Sequence, residues 1–270
     1  MNGAAPNAGA PSGSLKPALV LGPVRIDGVT FDEALDAVEA LVAAGRGGAV
    51  FTPNVDHVMI AHEDALMRDA YSRVDLSLPD GMPLLWASRL LGTPLPEKVS
   101  GSDFTPRILK RAAARGWRVF FLGGAPGVAA KARDRLVEQL PGLKVVGVDA
   151  PRFAVTDSRE SQRELVAAIR ATKPDLVLVA FGAPKQEVWI DRTRDDLRPA
   201  VLLGIGASLD FIAGTVPRAP RWMSSSGLEW LFRLWREPGR MWRRYLVRDS
   251  RFVFVLGRAL GERVRGASPR

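Results

Sequence analysis

From residue 24 onward, short apolar runs alternate with longer segments in which apolar residues recur every three or four positions. The runs Val24–Ile26, Ala49–Thr52, Leu76–Leu78, Arg118–Leu122, Lys144–Val148, Leu176–Phe181 and Val201–Ile205 predict strands. Between them, Phe31–Ala44, Val55–Tyr71, Pro83–Leu91, Asp103–Arg115, Val128–Leu140, Ser158–Thr172 and Lys185–Asp196 predict helices. The stretches VFFLG, VLVAFG and VLLGIG show no polar alternation, so both faces of those strands are expected to be covered. Such strands alternating with helices predict an α/β fold, an open, doubly wound, mostly parallel sheet of Rossmann-like type over residues 18–216. Residues 1–17 are small residues, Gly and Pro, without the charged start and apolar centre of a signal peptide, and are expected to be a disordered tail. No apolar run approaches the roughly 18 residues that a spanning helix needs.

The pattern changes after Gly214. Leu228, Leu231, Phe232 and Trp235 recur at helical spacing, with Arg233 and Arg236 on other faces. After Pro238-Gly239 a second pattern, Trp242, Tyr245, Leu246 and then Phe252–Leu256, is surrounded by arginines. Two or three short amphipathic helices are expected over residues 217–270.

Charge sharpens that division. The chain has 270 residues and a net charge of +9, with 47% hydrophobic and 25% charged residues, which excludes a disordered or fibrous chain. Residues 1–216 hold 25 basic and 25 acidic side chains; residues 217–270 hold 13 basic and 4 acidic, and every basic one is Arg. Four of the seven Trp, at 222, 230, 235 and 242, are there too. A neutral body thus carries a basic, aromatic C-terminal helical appendage. Its partner should be anionic: a membrane surface, a nucleic acid or a phosphate-bearing substrate. The absence of cysteine removes disulfides, thiolate nucleophiles and cysteine-ligated metals, and fits a reducing compartment.

In open α/β sheets ligands bind beyond the carboxyl ends of the strands. Five successive predicted strand ends carry small or polar residues: Asn54 in TPN, Asp80 in SLPDG, Gly123-Gly124 in GGAPG, Lys185 and Gln186 in GAPKQE, and Asp210 in GASLD. Each has a plainer reading. Asn54 suits a helix N-cap, Asp80-Gly81 a turn, GGAPG a strand-to-helix turn, and Gln186 and Glu187 the first turn of a helix. GGAPG also allows backbone N–H groups to approach a phosphate. The chain has no G-x-G-x-x-G, no P-loop and no G-x-S-x-G elbow. His57 and His62 lie five apart, the wrong spacing for two ligands on one helix face, and are expected to be structural.

TPNVDHVMIA, SLPDGMPLLWASRLLG, VSGSDF, VFFLGGAPGVA, LVAFGAPKQEVWI, GIGASLDFIAG and VPRAPRWMSSSGLEWLFRLWREPGRMWRRYL occur in that order over residues 24–256. Together they resemble the WecG/TagA/CpsF glycosyltransferases. The resemblance implies a GT-E type fold and inverting transfer of a sugar from a UDP-sugar to a polyprenyl-diphosphate-linked saccharide. The setting it implies is the synthesis of bacterial cell-surface polysaccharides such as teichoic acid linkage units or exopolysaccharide, by a peripheral enzyme on the cytoplasmic face of the plasma membrane. The family works without a carboxylate-bound metal, so no metal and no cofactor are expected. Asp80 takes the place of its catalytic carboxylate, with Thr52 and Asn54 beside it and Gln186 on the substrate. The appendage is expected to bind the membrane and bring Arg side chains over the site. One departure is Lys98 in EKVSG, where many members have Arg; Lys keeps the charge and loses the bidentate fork. A second is VDAPRFAV, with Pro151-Arg152 where a Gly-aromatic segment is expected.

A mechanism follows from these residues. Asp80 as general base would take the proton of the acceptor hydroxyl as it attacks the anomeric carbon. Gly123, Gly124, Lys185, Gln186, Asp210, Lys98, Arg218 and Arg221 would hold the substrates, the cations and helix N-termini facing the UDP leaving group. The partners expected are the UDP-sugar, the lipid-linked acceptor and an anionic membrane surface, with no nucleic acid; a homo-oligomer through the appendage is left open. Two other readings stand beside this one: a nicotinamide-dependent oxidoreductase, which the sheet order would allow, and a nucleic-acid-binding protein using the basic tail.

Overall fold

The computed structural model describes residues 16–152 and 160–266. Most of the tail expected at residues 1–17 therefore lies outside the described residues, and so does part of the helix expected from Ser158. An antiparallel hairpin of β1 (Lys16–Leu21) and β2 (Val24–Gly28) opens the chain. Then follow α1 (Phe31–Ala44), β3 (Gly48–Phe51), α2 (Val55–Glu63), α3 (Ala65–Ser72), β4 (Leu76–Ser77), α4 (Met82–Leu90), α5 (Gly101–Arg115), β5 (Arg118–Gly123), α6 (Val128–Gln139), β6 (Lys144–Asp149), α7 (Arg163–Ala171), β7 (Leu176–Ala180), α8 (Lys185–Thr193), β8 (Val201–Gly204) and α9 (Ser208–Ala213). Strands β3 to β8 form one parallel sheet in the order β4-β3-β8-β7-β5-β6.

The continuous apolar strands are buried on both faces, as expected. Side chains alternate between two cores: Leu176 and Leu178 of β7 join one, Val177 and Val179 the other. The hairpin, α2, α3, α4, α7 and α8 cover the first face; α1, α5, α6 and α9 cover the second. Crossovers running toward β4 use α2–α3, α7 and α8 on the first face, whereas those running toward β6 use α5 and α6 on the second. That segregation is what one crossover handedness requires. Connections leave β5 and β7 in opposite directions, so the sheet has a switch point between them. Gly123 sits there at φ +104°, and a Cβ on it would lie 2.7 Å from the Ala180 carbonyl oxygen. Only glycine fits.

Three elements differ from the sequence reading. Val55–Tyr71 is two helices, because Asp64 is extended at φ −108° and its side chain caps α3 through the Met67 N–H. β1 begins at Lys16, inside the segment expected to be tail. α9 occupies a stretch read only as a polar strand end.

The basic region folds back over the strand ends as α10 (Arg221–Ser225), α11 (Glu229–Arg236), α12 (Pro238–Trp242) and α13 (Phe252–Val264), with a π-helical turn at Arg243–Arg248 and a 3-10 turn at Asp249–Arg251. Phe252 is buried, and Val255, Leu256, Ala259 and Leu260 pack on the core of the first face. One side of α13 therefore belongs to the core, while Phe254 on its other side is 78% exposed. Trp222, Trp235 and Trp242 are exposed as well. No described helix is long and apolar enough to cross a membrane.

Candidate active site

Neighbouring strand ends bring some of the sequence-predicted residues together. Thr52 follows β3, and its hydroxyl donates to the Gly204 carbonyl at the end of β8 (3.2 Å). Asn54 caps α2: its Oδ1 accepts from the His57 N–H at 3.4 Å, and its own N–H donates to His57 Nδ1 at 3.2 Å. Because Nδ1 accepts, the imidazole proton lies on Nε2, which is 3.2 Å from Glu187 Oε1. Gln186 Nε2 donates to that same oxygen (2.8 Å), and Gln186 Oε1 accepts from the Gly206 N–H (2.9 Å). One buried chain, Asn54–His57–Glu187–Gln186–Gly206, thus ties the ends of β3, β7 and β8 together. His57 is structural, as expected, and it braces Asn54. Gln186, 2% exposed, spends its amide on protein groups.

Asp80 sits just beyond β4. Its N–H donates to the Pro53 carbonyl (2.8 Å), and Gly81 at φ +112° turns the chain into α4. The carboxyl faces a cavity of about 320 Å³ between the sheet end and the appendage, lined by Asn54, Asp56, Met82, Trp230, Arg244 and Tyr245 among others. Burial, and next the charge of Glu229, push its pKa from 3.8 up to about 6, against the opposing pull of Arg233 and Lys98. A carboxyl with that pKa is mostly ionised at neutral pH and still basic enough to take a proton.

A second cavity of about 1160 Å³ adjoins it, lined by Lys98, Asp103, Arg107, Asp210, Arg218 and Arg236 among others. Lys98, Ser224, Glu229 and Arg233 line both cavities. They form a wall: Lys98 Nζ donates to Ser224 Oγ (3.1 Å), Ser224 Oγ to Glu229 Oε2 (3.2 Å), and Glu229 is paired with Arg233. Arg218 pairs with Asp103 and reaches Ser102 Oγ at 3.1 Å. Both Arg218 and Arg233 lie over the Phe211 ring, at 5.8 and 5.6 Å.

Asp80, Asn54, Lys98, Asp210 and Arg218 thus line the paired cavities. Thr52, Gly123, Gly124, Lys185 and Gln186 line neither; the two glycines form the switch point between β5 and β7 instead. The side chain of Arg221 lies outside the described residues. The expectation of appendage arginines over the site named Arg218 and Arg221, and not Arg233, Arg244 or the acidic Glu229. The only local signal was the i, i+4 spacing of Glu229 and Arg233 on one helix face. Among the described residues no three His, Asp or Glu side chains converge as a metal site.

The profile of the glycosyl transferase WecG/TagA/CpsF family matches residues 19–266. The chain belongs to that family. It is therefore a glycosyltransferase, and the resemblance read from its motifs holds over the body and the appendage alike. Among its relatives is an N-acetylglucosaminyldiphosphoundecaprenol N-acetyl-beta-D-mannosaminyltransferase of Bacillus spizizenii, 34% identical over 201 residues, which are 74% of this chain and 76% of the relative. A Bacillus subtilis protein of the same name is 33% identical over 201 residues, 74% of this chain and 75% of the relative.

Proposed function

We propose that this glycosyltransferase moves a sugar from a UDP-sugar to a polyprenyl-diphosphate-linked saccharide with inversion at the anomeric carbon. The observation that carries this reading is the pairing of the cavities across one polar wall. The larger cavity, to which Lys98, Arg107, Arg218, Arg233 and Arg236 contribute cations, suits a nucleotide sugar; its volume of about 1160 Å³ lies just above the roughly 300–1,000 Å³ of ordinary ligand sites. The smaller holds Asp80 beside Trp230, Tyr245 and Phe252, a half-apolar setting for an acceptor sugar on a lipid carrier. The lipid-linked acceptor in the names of the two Bacillus relatives supports that choice.

In the reaction Asp80 takes the proton of the acceptor hydroxyl. The oxygen forms its bond to the anomeric carbon while the bond from that carbon to the diphosphate breaks, and UDP departs with the electron pair. One base and one displacement invert the centre, unlike a two-carboxylate retaining arrangement. Lys98, Arg218 and Arg233 offset the growing diphosphate charge. Asn54 is fixed by its bonds to His57 and steadies the entry of α2 beside the base. The Arg-rich appendage with exposed Trp222, Trp235 and Phe254 holds the enzyme on an anionic membrane surface, where each Arg near the leaflet contributes about 1 kcal/mol.

The test is a panel of UDP-sugars with a short lipid-diphosphate-N-acetylglucosamine acceptor, reading released UDP. Acceptor-dependent release with one sugar supports the proposal. Release that ignores the acceptor contradicts it.

A further inference from the structure

We propose that Asp56 is a positioning residue, the receptor that latches the appendage over the Asp80 cavity. Asp56 is the second residue of α2, two positions past Asn54. It is only 6% exposed, a placement that costs a carboxylate several kcal/mol unless it is paired. Each of its oxygens faces a different arginine of the appendage. Oδ2 is 3.1 Å from Arg244 Nε, and Oδ1 is 2.7 Å from Arg248 Nη2. The two arginines are four residues apart in the π-helical turn Arg243–Arg248, so one carboxylate receives both from a single turn. The N-terminus of α2 favours the negative charge in advance of docking.

The latch also reaches the site. Arg244 extends past Asp56 to Asn54 Oδ1 (3.4 Å), and Asp56, Arg244 and Asp249 all line the Asp80 cavity. Asp249, 3.8 Å from Arg244, is the one other carboxylate facing this pair among the described residues. A second ion pair joins α2 to the adjoining 3-10 turn, Glu63 with Arg251 at 2.6 Å, but both partners are more than half exposed. Exposed pairs contribute little, so the buried one should dominate. The inference rests on the Asp80 cavity being the reaction site; the docking itself does not require it.

The experiment uses the full-length chain and compares Asp56→Asn, Arg248→Gln and, as control, Glu63→Gln. Two quantities are read: the rate of tryptic cleavage within residues 243–251, and kcat and KM for the donor. Asp56→Asn should speed that cleavage at least about tenfold, the scale set by breaking a buried ion pair, and lower kcat/KM. Glu63→Gln should stay within about twofold in both. Asp56→Glu, which keeps the charge, should recover part of the protection. Cleavage of Asp56→Asn at the wild-type rate would overturn the proposal. Should Asp56→Asn not fold, Arg248→Gln breaks the same contact from the appendage side; it removes its own cleavage site, so cleavage after Arg243, Arg244 and Arg251 is compared, and an unchanged rate at those three overturns it equally. Failure of the reaction-site reading would look different: Asp80→Asn would turn over like wild type, while the cleavage comparison would stand.

Discussion

Replacing Asp80 with Asn separates catalysis from stability. The carboxyl has a folded pKa of about 6 against 3.8 for an ordinary Asp. Between those two pH values the folded state binds more protons than the unfolded one, so this group's contribution to stability falls as pH rises through the window. At neutral pH the ionised carboxylate is held at a cost of up to about 3 kcal/mol, at about 1.4 kcal/mol per pKa unit. Asn fills nearly the same volume without the charge. Asp80→Asn should therefore melt higher than wild type at pH 7 and no higher at pH 4. The same change removes the base and should lower kcat by about 10²–10⁴-fold. The wild-type kcat/KM should climb through about pH 6, with roughly a tenth of the base ionised at pH 5. Burial and the charge of Asp56 also push the Asp249 carboxyl up to about 6, so it titrates in the same window. An Asp249→Asn variant that keeps the rise in kcat/KM near pH 6 assigns it to Asp80. Melting curves by calorimetry and UDP release at five or six pH values make the assay. A variant that is no more stable at pH 7 and turns over within threefold of wild type would refute the reasoning.

Four further outcomes are expected. Glu229→Gln removes the charge that raises the Asp80 pKa, so the ascending limb of the pH profile should move to lower pH; an unmoved limb counts against the shared wall. Gly123→Ala places a methyl 2.7 Å from the Ala180 carbonyl oxygen at φ +104°, so it should cost about 2 kcal/mol or more in urea unfolding. Trp235→Ala combined with Phe254→Ala removes two rings that are 75% and 78% exposed; vesicle binding should weaken at least about tenfold in co-sedimentation, with the melting temperature unchanged. A chain ending at Gly214 strips the buried side of α13 from the core, so it should melt below the full-length protein by calorimetry.

Periodicity reached the fold wherever burial is uniform. VFFLG, VLVAFG and VLLGIG became β5, β7 and β8 because central parallel strands leave no polar face. It failed where a single residue makes two local decisions. Asp64 ends α2 and caps α3, and apolar spacing carries straight through such a break. β1 was hidden by Pro17 and by the small residues before it; its pairing with β2 decides it, not its own composition. At the candidate site, Asp80 and Asn54 were legible in position because strand ends are where ligands sit; Thr52 came from the resemblance, and its hydroxyl is spent on the Gly204 carbonyl. Gln186 was legible in position but not in use, since its partners Glu187 and Gly206 declare themselves only once α8 lies against β8. Glu229, Arg233 and Arg244 were not legible, because their proximity to Asp80 comes from the fold-back of the appendage across more than 140 residues of chain.

The central claim is that one carboxylate and one displacement act across the paired cavities. The most direct measurement is the anomeric configuration of the first product formed from a UDP-sugar and a lipid-diphosphate-N-acetylglucosamine acceptor, read by proton NMR for the wild type and for Asp80→Asn. Wild type should give the inverted product and the variant almost none. Retained configuration, or full product formation without the Asp80 carboxylate, would contradict it.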